Sequence, residues 1–523
     1  MIENQAKKTS GAVKDSNVIL SGHEMTLCDL VRIAQGECSV SLSENSLIRV
    51  QAARQVIERR LQSNESFYGI NTGFGALSEI KIPAEKLGIL QLNLIRSHAC
   101  GVSDPLSEKE VRAILALRIQ TMMRGNSGVK VETIQLMCEF LNHHIHPIIP
   151  CRGSVGACGD LAPLAHLAMG LIGEAEVIYK GVRTSAAAAL AAEGLKALVP
   201  AAKEGLCLIN GTQVMTALGL LQCHEALLLV ECADVATAMT LDATRGTATA
   251  YRAEIQNVRP HPGQTQSANY LRALLRDDAI AQSHSGCGKV QDPYSIRCAP
   301  QVHGAVRDAL THVLQVLLRE ANSSTDNPLV FAESDEILSG GNFHGEPVAL
   351  VLDYLCIAVS ELAGISERRI DKLVNPHMSG LPAFLAPDSG LNSGFMIPHV
   401  VAAALVNENK VLSHPASVDS IPTSADKEDH VSMGMTSALK LCQVVKNVRY
   451  VLAIELIAAA QGLEFHLPMK GGIGVRIAYD WVRKYSSAMN VDRSLSADIE
   501  AVSKGIALGE LSKHLAQLND SLA

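Results

Sequence analysis

Gly153-Ser154-Val155-Gly156-Ala157-Cys158-Gly159-Asp160-Leu161-Ala162-Pro163-Leu164-Ala165-His166 decides how the rest of the chain is read. Its glycines at 153, 156 and 159 interrupt a sequence that otherwise patterns as long helices, and a residue without Cβ lets backbone approach backbone. The amide nitrogen of Gly159 can then attack the carbonyl carbon of Ala157, closing a five-membered ring with loss of water. If Cys158 also loses its thiol, an exocyclic methylene remains, an electrophile made from the chain itself. The plainer reading is a glycine-rich loop entering a helix near Asp160. From the loop alone the two stand level.

The surrounding composition points to a mainly α protein. The chain has 523 residues, 47% of them hydrophobic and only 3% aromatic, which favours closely packed helices over sheet. A formal net charge of -8, from 45 basic and 53 acidic residues interspersed along the chain, leaves no basic stripe for nucleic acid. The first 16 residues are polar and lack the apolar segment of a secretory signal, and no later run reads as an uninterrupted membrane span. Thirteen cysteines without a CxxC pair suggest neither a disulfide framework nor a zinc site. A soluble cytoplasmic protein without metal is expected.

Outward from the loop, residues 44 to 61 pattern as a helix with Leu47, Val50, Ile57 and Leu61 inward and Arg54, Glu58 and Arg59 toward solvent. Ser107 to Glu110 forms a capping box, followed by the apolar positions Val111, Ile114, Leu115, Ile119 and Met122. The run Asn142-His143-His144-Ile145-His146 has no completing metal ligand and reads as a helix end before Pro147. Long helical patterns recur at about 213–250, 303–322, 346–374, 396–413 and 432–462, apolar enough to need partners on most sides, so oligomerisation is expected.

The breaks between helices carry the polar chemistry. Tyr68 lies in Phe67-Tyr68-Gly69-Ile70-Asn71-Thr72-Gly73-Phe74-Gly75; alone it reads as a packed tyrosine. His98 follows Ser97, and Asn210 sits beside Gly211, where a capping role is the ordinary account. Lys289-Val290-Gln291-Asp292-Pro293-Tyr294-Ser295-Ile296-Arg297 is too polar for a core segment, and Pro293 bars a regular helix through it. Thr325-Asp326-Asn327-Pro328 and Gly340-Gly341-Asn342-Phe343-His344-Gly345 are turns, and Glu428 precedes the last long helix.

Six of these stretches, in order from Tyr68 to Glu428, resemble the histidine and aromatic amino-acid ammonia-lyases. In that family an Ala-Ser-Gly segment forms 4-methylidene-imidazol-5-one; here Ala157, Cys158 and Gly159 stand there, so hydrogen sulfide would replace one water. The resemblance implies a long central helical bundle of the ammonia-lyase and fumarase-like superfamily with a tetrameric helical core. It implies an active-site region over 1–205, a long-helix bundle over 206–465 and a C-terminal helical segment over 466–523. Tyr68, acidified by positive helix ends, would take the substrate β-proton. Tyr294 and Gln291 would flank the ring and hold or relay protons, Arg297 would clamp the α-carboxylate, Asn210 would bind near the ring, and Phe343 would pack beside it. Ser97-His98 and Glu428 resemble the histidine-specific branch, which implies L-histidine as substrate, urocanate and ammonia as products, and a homotetramer with no external cofactor. The alternatives are a tyrosine or phenylalanine ammonia-lyase or aminomutase, or a variant impaired by Cys158. The usual signature loop of the fumarase group is not visible.

Overall fold

The computed structural model describes residues 17–63 and 65–520. The polar stretch over residues 1–16 lies outside them. The chain is mainly helical, with long helices Gln213–Ala243, Ala299–Ala321, Glu346–Val374 and Gly434–Glu464. Its strands are short and form four small sheets of two or three strands, which helical periodicity gave no reason to expect. By contacts the chain forms two compact units. The first comprises the described residues within 1–221, 314–353 and 415–439, the second those within 222–313, 354–414 and 440–523.

In the first unit, helix Glu108–Met122 starts at the expected capping box, with Ser107 accepting from the Glu110 amide and Glu110 reaching back to the Ser107 amide. Every residue from Val111 to Met122 is buried, so the helix is enclosed on all sides rather than on one apolar face. That enclosure takes in Arg118 and Gln120, which hydrogen bonds must then satisfy. Helix Glu44–Arg60 buries Val50, Ala53, Val56 and Ile57. Arg54, expected in solvent, is buried instead. Its Nη1 donates to the Ala202 carbonyl at 3.0 Å and its Nε to Glu58 at 2.9 Å, so a long side chain reaches across the packed face to satisfy a carbonyl. The histidine run ends helix Val131–Asn142 and enters strand Ile145–Pro147, which pairs antiparallel with Glu176–Tyr179.

In the second unit, helix Gln213–Ala243 stops short of the expected 250. Arg245 adopts φ 50°, and the Gly246 amide turns back to the Leu241 carbonyl at 2.8 Å, closing the end. Arg369 and Glu455, both with no exposure, pair through Nε to Oε1 at 2.5 Å and Nη2 to Oε2 at 2.8 Å. Thr240 and Ser366 donate to the same carboxylate, so three long helices meet on it. Helix Glu346–Val374 corrects one expectation: by length and composition it contains a stretch able to cross a bilayer, and 56% of that stretch is buried inside the protein, as in a core helix.

Candidate active site

Gly153 to Asp160 is held by backbone packing that only glycine permits. Gly159 has φ 67°, and a Cβ there would lie 2.1 Å from the Gly211 carbonyl oxygen. Gly156, at φ 71°, would place a Cβ 2.2 Å from the Ser432 hydroxyl. Hydrogen bonds fix the rest. The Ser432 hydroxyl donates to the Gly156 carbonyl at 3.0 Å, and the Gly345 amide donates to it at 3.3 Å. The Met433 amide donates to the Val155 carbonyl at 2.8 Å.

These partners show how four helices are brought to the loop. Asp160 is the N-cap residue of helix Leu161–Leu171. Its Oδ2 accepts from the Val214 and Met215 amides at 3.0 and 2.9 Å, in the first turn of helix Gln213–Ala243. Gly345 and Met433 immediately precede helices Glu346–Val374 and Gly434–Glu464. The positive ends of all four therefore face a loop at which negative charge can be stabilised.

At the centre is Cys158. Its thiol donates to Glu428 Oε1 at 3.0 Å, and Thr423 Oγ1 donates to the other oxygen at 2.6 Å. Burial, reinforced by the Glu428 carboxylate, pushes the thiol well above its ordinary value, so it is protonated at neutral pH. Tyr68 is electrostatically coupled to both groups, of which Glu428 carries the charge, and the Gly75 amide donates to its hydroxyl at 3.4 Å. The expected acidification of Tyr68 is overturned in this unreacted state. Burial raises its pKa, the nearby Cys158 and Glu428 raise it further, and the Gly75 hydrogen bond offsets this only in part. His98 Nδ1 lies 2.8 Å from the Leu94 carbonyl and donates to it, which leaves Nε2 of the neutral ring as an acceptor. Burial lowers its pKa, against the Leu94 carbonyl and the Glu428 charge.

Asn210 is buried, with Nδ2 donating to the Asn327 carbonyl at 3.1 Å and its own carbonyl accepting from Arg118 at 2.8 Å. Its Oδ1 is buried without a hydrogen-bond partner. Phe343 is half-buried, two residues before the Gly345 amide that meets the loop. His344 stacks on His430 with ring centroids 5.8 Å apart. Tyr68, His98, Ala157, Cys158, Gly159, Asn210, Phe343 and Glu428 thus all belong to the first unit. A cavity of about 670 Å³ in the same unit, lined by Arg54, Lys130 and Lys196 among others, includes none of them.

Gln291, Tyr294 and Arg297 belong to the second unit. Pro293 precedes a single turn, Tyr294–Arg297. Arg297 stacks its guanidinium 4.5 Å from the Tyr294 ring centroid and donates from Nε to the Asp292 carbonyl at 3.1 Å. This leaves its Nη groups for a carboxylate. Gln291 is exposed, and so is Tyr294, at 71%.

The structure adds residues to which the sequence reading gave no part in the site. Arg118, fully buried, joins the Asn210 carbonyl to Gln213 Oε1. Asp160 ties the loop to the next helix, Thr423 fixes Glu428, and Ser432 holds Gly156. Thr423 and Ser432 are ordinary loop hydroxyls in sequence, whereas the apolar neighbours of Arg118 at 117 and 119 were a usable signal of a buried charge.

The residues present fit a ring made from Ala157, Cys158 and Gly159. The Gly159–Gly211 approach leaves no room for a Cβ, and Asn210, the residue before Gly211 in sequence, keeps its buried Oδ1 without a hydrogen-bond partner.

Comparison with known proteins agrees with the fold. A family model for aromatic amino acid lyase matches residues 25–484. A histidine ammonia-lyase of Myxococcus xanthus is 52% identical over 94% of this chain and 97% of its own. The crystal structure of histidine ammonia-lyase from Trypanosoma cruzi superposes with a TM-score of 0.89 at 43% identity, covering 96% of each chain. A tyrosine aminomutase from Streptomyces globisporus gives 0.91 at 38% identity, covering 96% of this chain and 99% of its own. With the family model spanning most of its length, the chain belongs to the aromatic amino acid lyase family.

Proposed function

We propose that this chain is a histidine ammonia-lyase, a carbon–nitrogen lyase that removes ammonia from L-histidine to leave urocanate, the first step of histidine breakdown. The observation that carries the reading is the placement of Glu428. Its carboxylate touches Cys158 and its charge reaches His98, so an anion and a neutral imidazole acceptor stand beside the reactive loop. That pairing suits a substrate imidazole, which offers an N–H and carries positive charge when protonated. An apolar aromatic ring would leave both groups unpaired.

A 4-methylidene-imidazol-5-one formed from Ala157, Cys158 and Gly159 would supply an electrophile for the substrate amine, which would make nitrogen a better leaving group. Tyr68 takes the β-proton at its phenolic oxygen, and the Gly75 amide is a donor to that oxygen as it gains charge. Arg297 holds the α-carboxylate through its Nη groups. Gln291 and Tyr294 hold and relay protons, and Phe343 would pack beside the ring. Asn210 offers its unpartnered Oδ1 as an acceptor near the ring. His98 accepts the imidazole N–H at Nε2, and Glu428 sets the imidazole's protonation state.

We further propose a cytoplasmic homotetramer. Buried thiols such as Cys223 and Cys232, which form no disulfide, suit a reducing compartment. An assembly is supported by the apolar positions left exposed on helix Met396–Leu412, including Ile397 and Val400.

The test is the mass of the peptide carrying Ala157-Cys158-Gly159, followed by turnover of histidine, phenylalanine and tyrosine with chromatographic separation of α- and β-amino acid products. A peptide lighter by one water and one hydrogen sulfide, with urocanate formed from histidine alone, is the expected result. An unmodified peptide sinks the ring, and a β-amino acid product would make the chain an aminomutase.

A further inference from the structure

We infer that Glu428 acts before catalysis as the positioning residue for ring formation, its carboxylate being the acceptor that holds the Cys158 thiol while sulfur departs. The inference rests on the ring-forming reading above and concerns how the ring comes to exist.

The geometry makes Glu428 a fixed acceptor. Thr423 and Glu428 exchange backbone hydrogen bonds of 3.0 and 3.3 Å, closing the turn between them. Within that turn Thr423 Oγ1 holds Oε2 at 2.6 Å, and Oε1 is left facing Cys158 Sγ at 3.0 Å. On the other side, the loop backbone is immobilised by Ser432, Gly345 and Met433 through the Gly156 and Val155 carbonyls. With both flanks held, rotation about the Cys158 Cα–Cβ bond is the freedom that remains. The S–H···O bond removes it.

Ring formation balances without an oxidant. The Gly159 nitrogen bonds to the Ala157 carbonyl carbon, and the Ala157 oxygen leaves as water with the amide protons of Gly159 and Cys158. Cys158 then gives up its Cα proton while its Cβ–Sγ bond breaks; the sulfur leaves with its own proton as hydrosulfide and takes up the proton lost from Cα to depart as hydrogen sulfide. That second step requires a protonated sulfur, because an ionised thiol would have to leave as a doubly charged sulfide. A carboxylate accepting the S–H keeps the proton on sulfur, in line with the burial and adjacent charge that raise this thiol's pKa. Once hydrogen sulfide has gone, the same Oε1 is open to the substrate imidazole, so one oxygen serves both stages.

The experiment follows the mass of the Ala157-Cys158-Gly159 peptide over time after folding of the full chain, in wild type, Glu428→Ala, Glu428→Gln and Thr423→Ala, with circular dichroism as the folding check. The unmodified fraction should rise severalfold in Glu428→Ala. It should return close to wild type in Glu428→Gln, whose amide oxygen accepts the same S–H, although the lost carboxylate still impairs histidine turnover per ring formed. Thr423→Ala, which frees the carboxylate to swing, should show a smaller delay. Ring formation in Glu428→Ala as fast as in wild type overturns the inference, and so does a Glu428→Gln variant that lags as far as Glu428→Ala. Should Glu428→Ala not fold, an undelayed Thr423→Ala overturns it instead. A wild-type peptide that never loses mass defeats the ring itself, a result distinguishable from all of these.

Discussion

Asp160 has no exposure to water, yet it carries a carboxylate at a point where the reactive loop is tied to helix Gln213–Ala243. Burial raises its pKa to about 6, against the opposing hydrogen bonds from Met215, Ser154 and Val214. Between 3.8 and about 6 the native chain therefore holds this proton more tightly than the unfolded chain does. Its contribution to stability falls as pH rises through that window and is constant above it. Asp160→Asn keeps the shape and an acceptor for the two helix amides but cannot ionise. Denaturant midpoints from pH 4 to 7 should show wild type losing stability relative to the variant, on the order of 3 kcal/mol across the window. Parallel curves would mean that the carboxyl titrates as it does in the unfolded chain. The sequence placed Asp160 at a helix start but could not give its role, because that role depends on amides more than fifty positions away. Cys158 was visible as a candidate from its glycine neighbours, and Tyr68 from the family resemblance of its stretch. The raised pKa of Tyr68 was not visible, since burial depends on what packs over the phenol.

Helices were the most legible elements, because periodicity and caps are local. The Ser107 capping box and the 346–374 pattern needed no knowledge of the fold. The end of helix Gln213–Ala243 was misjudged because alanine and threonine continue a helical pattern past the point where Arg245 and Gly246 turn the backbone. Buried charges were the least legible elements, for a pair such as Arg369 and Glu455 is 86 residues apart in sequence. That pair makes a prediction for the second unit. Glu455→Gln leaves Arg369 buried without its counter-charge while preserving volume, and should cost about 3–5 kcal/mol. Thermal or urea unfolding measures it, and Arg369→Met added to the variant should recover part of the loss. A cost within experimental error of zero would mean that water reaches the guanidinium.

For the molecule as a whole, the apolar character of the helices raises the question of what covers them. Helix Met396–Leu412 buries Ala402, Val406 and Asn409 on one side. On its other side it exposes Ile397 at 60%, Val400 at 55% and Val411 at 72%, an i, i+3, i+14 series on one helical face. Isolated exposed apolar residues are ordinary, but a face of them along one helix is the mark of an interface. In the proposed homotetramer this face is buried, so Val400→Asp places a carboxylate in an apolar contact, where it must be desolvated without a partner. In a lone chain the same substitution sits in water and costs little. Light scattering of wild type should give four chains, and the variant should give fewer at the same concentration with its helical circular dichroism retained. Because ring formation uses residues of the first unit alone, the peptide mass in the dissociated variant should still show the loss of water and hydrogen sulfide. A wild type that runs as a single chain, or a Val400→Asp variant that stays fully assembled, would remove this helix face from the interface.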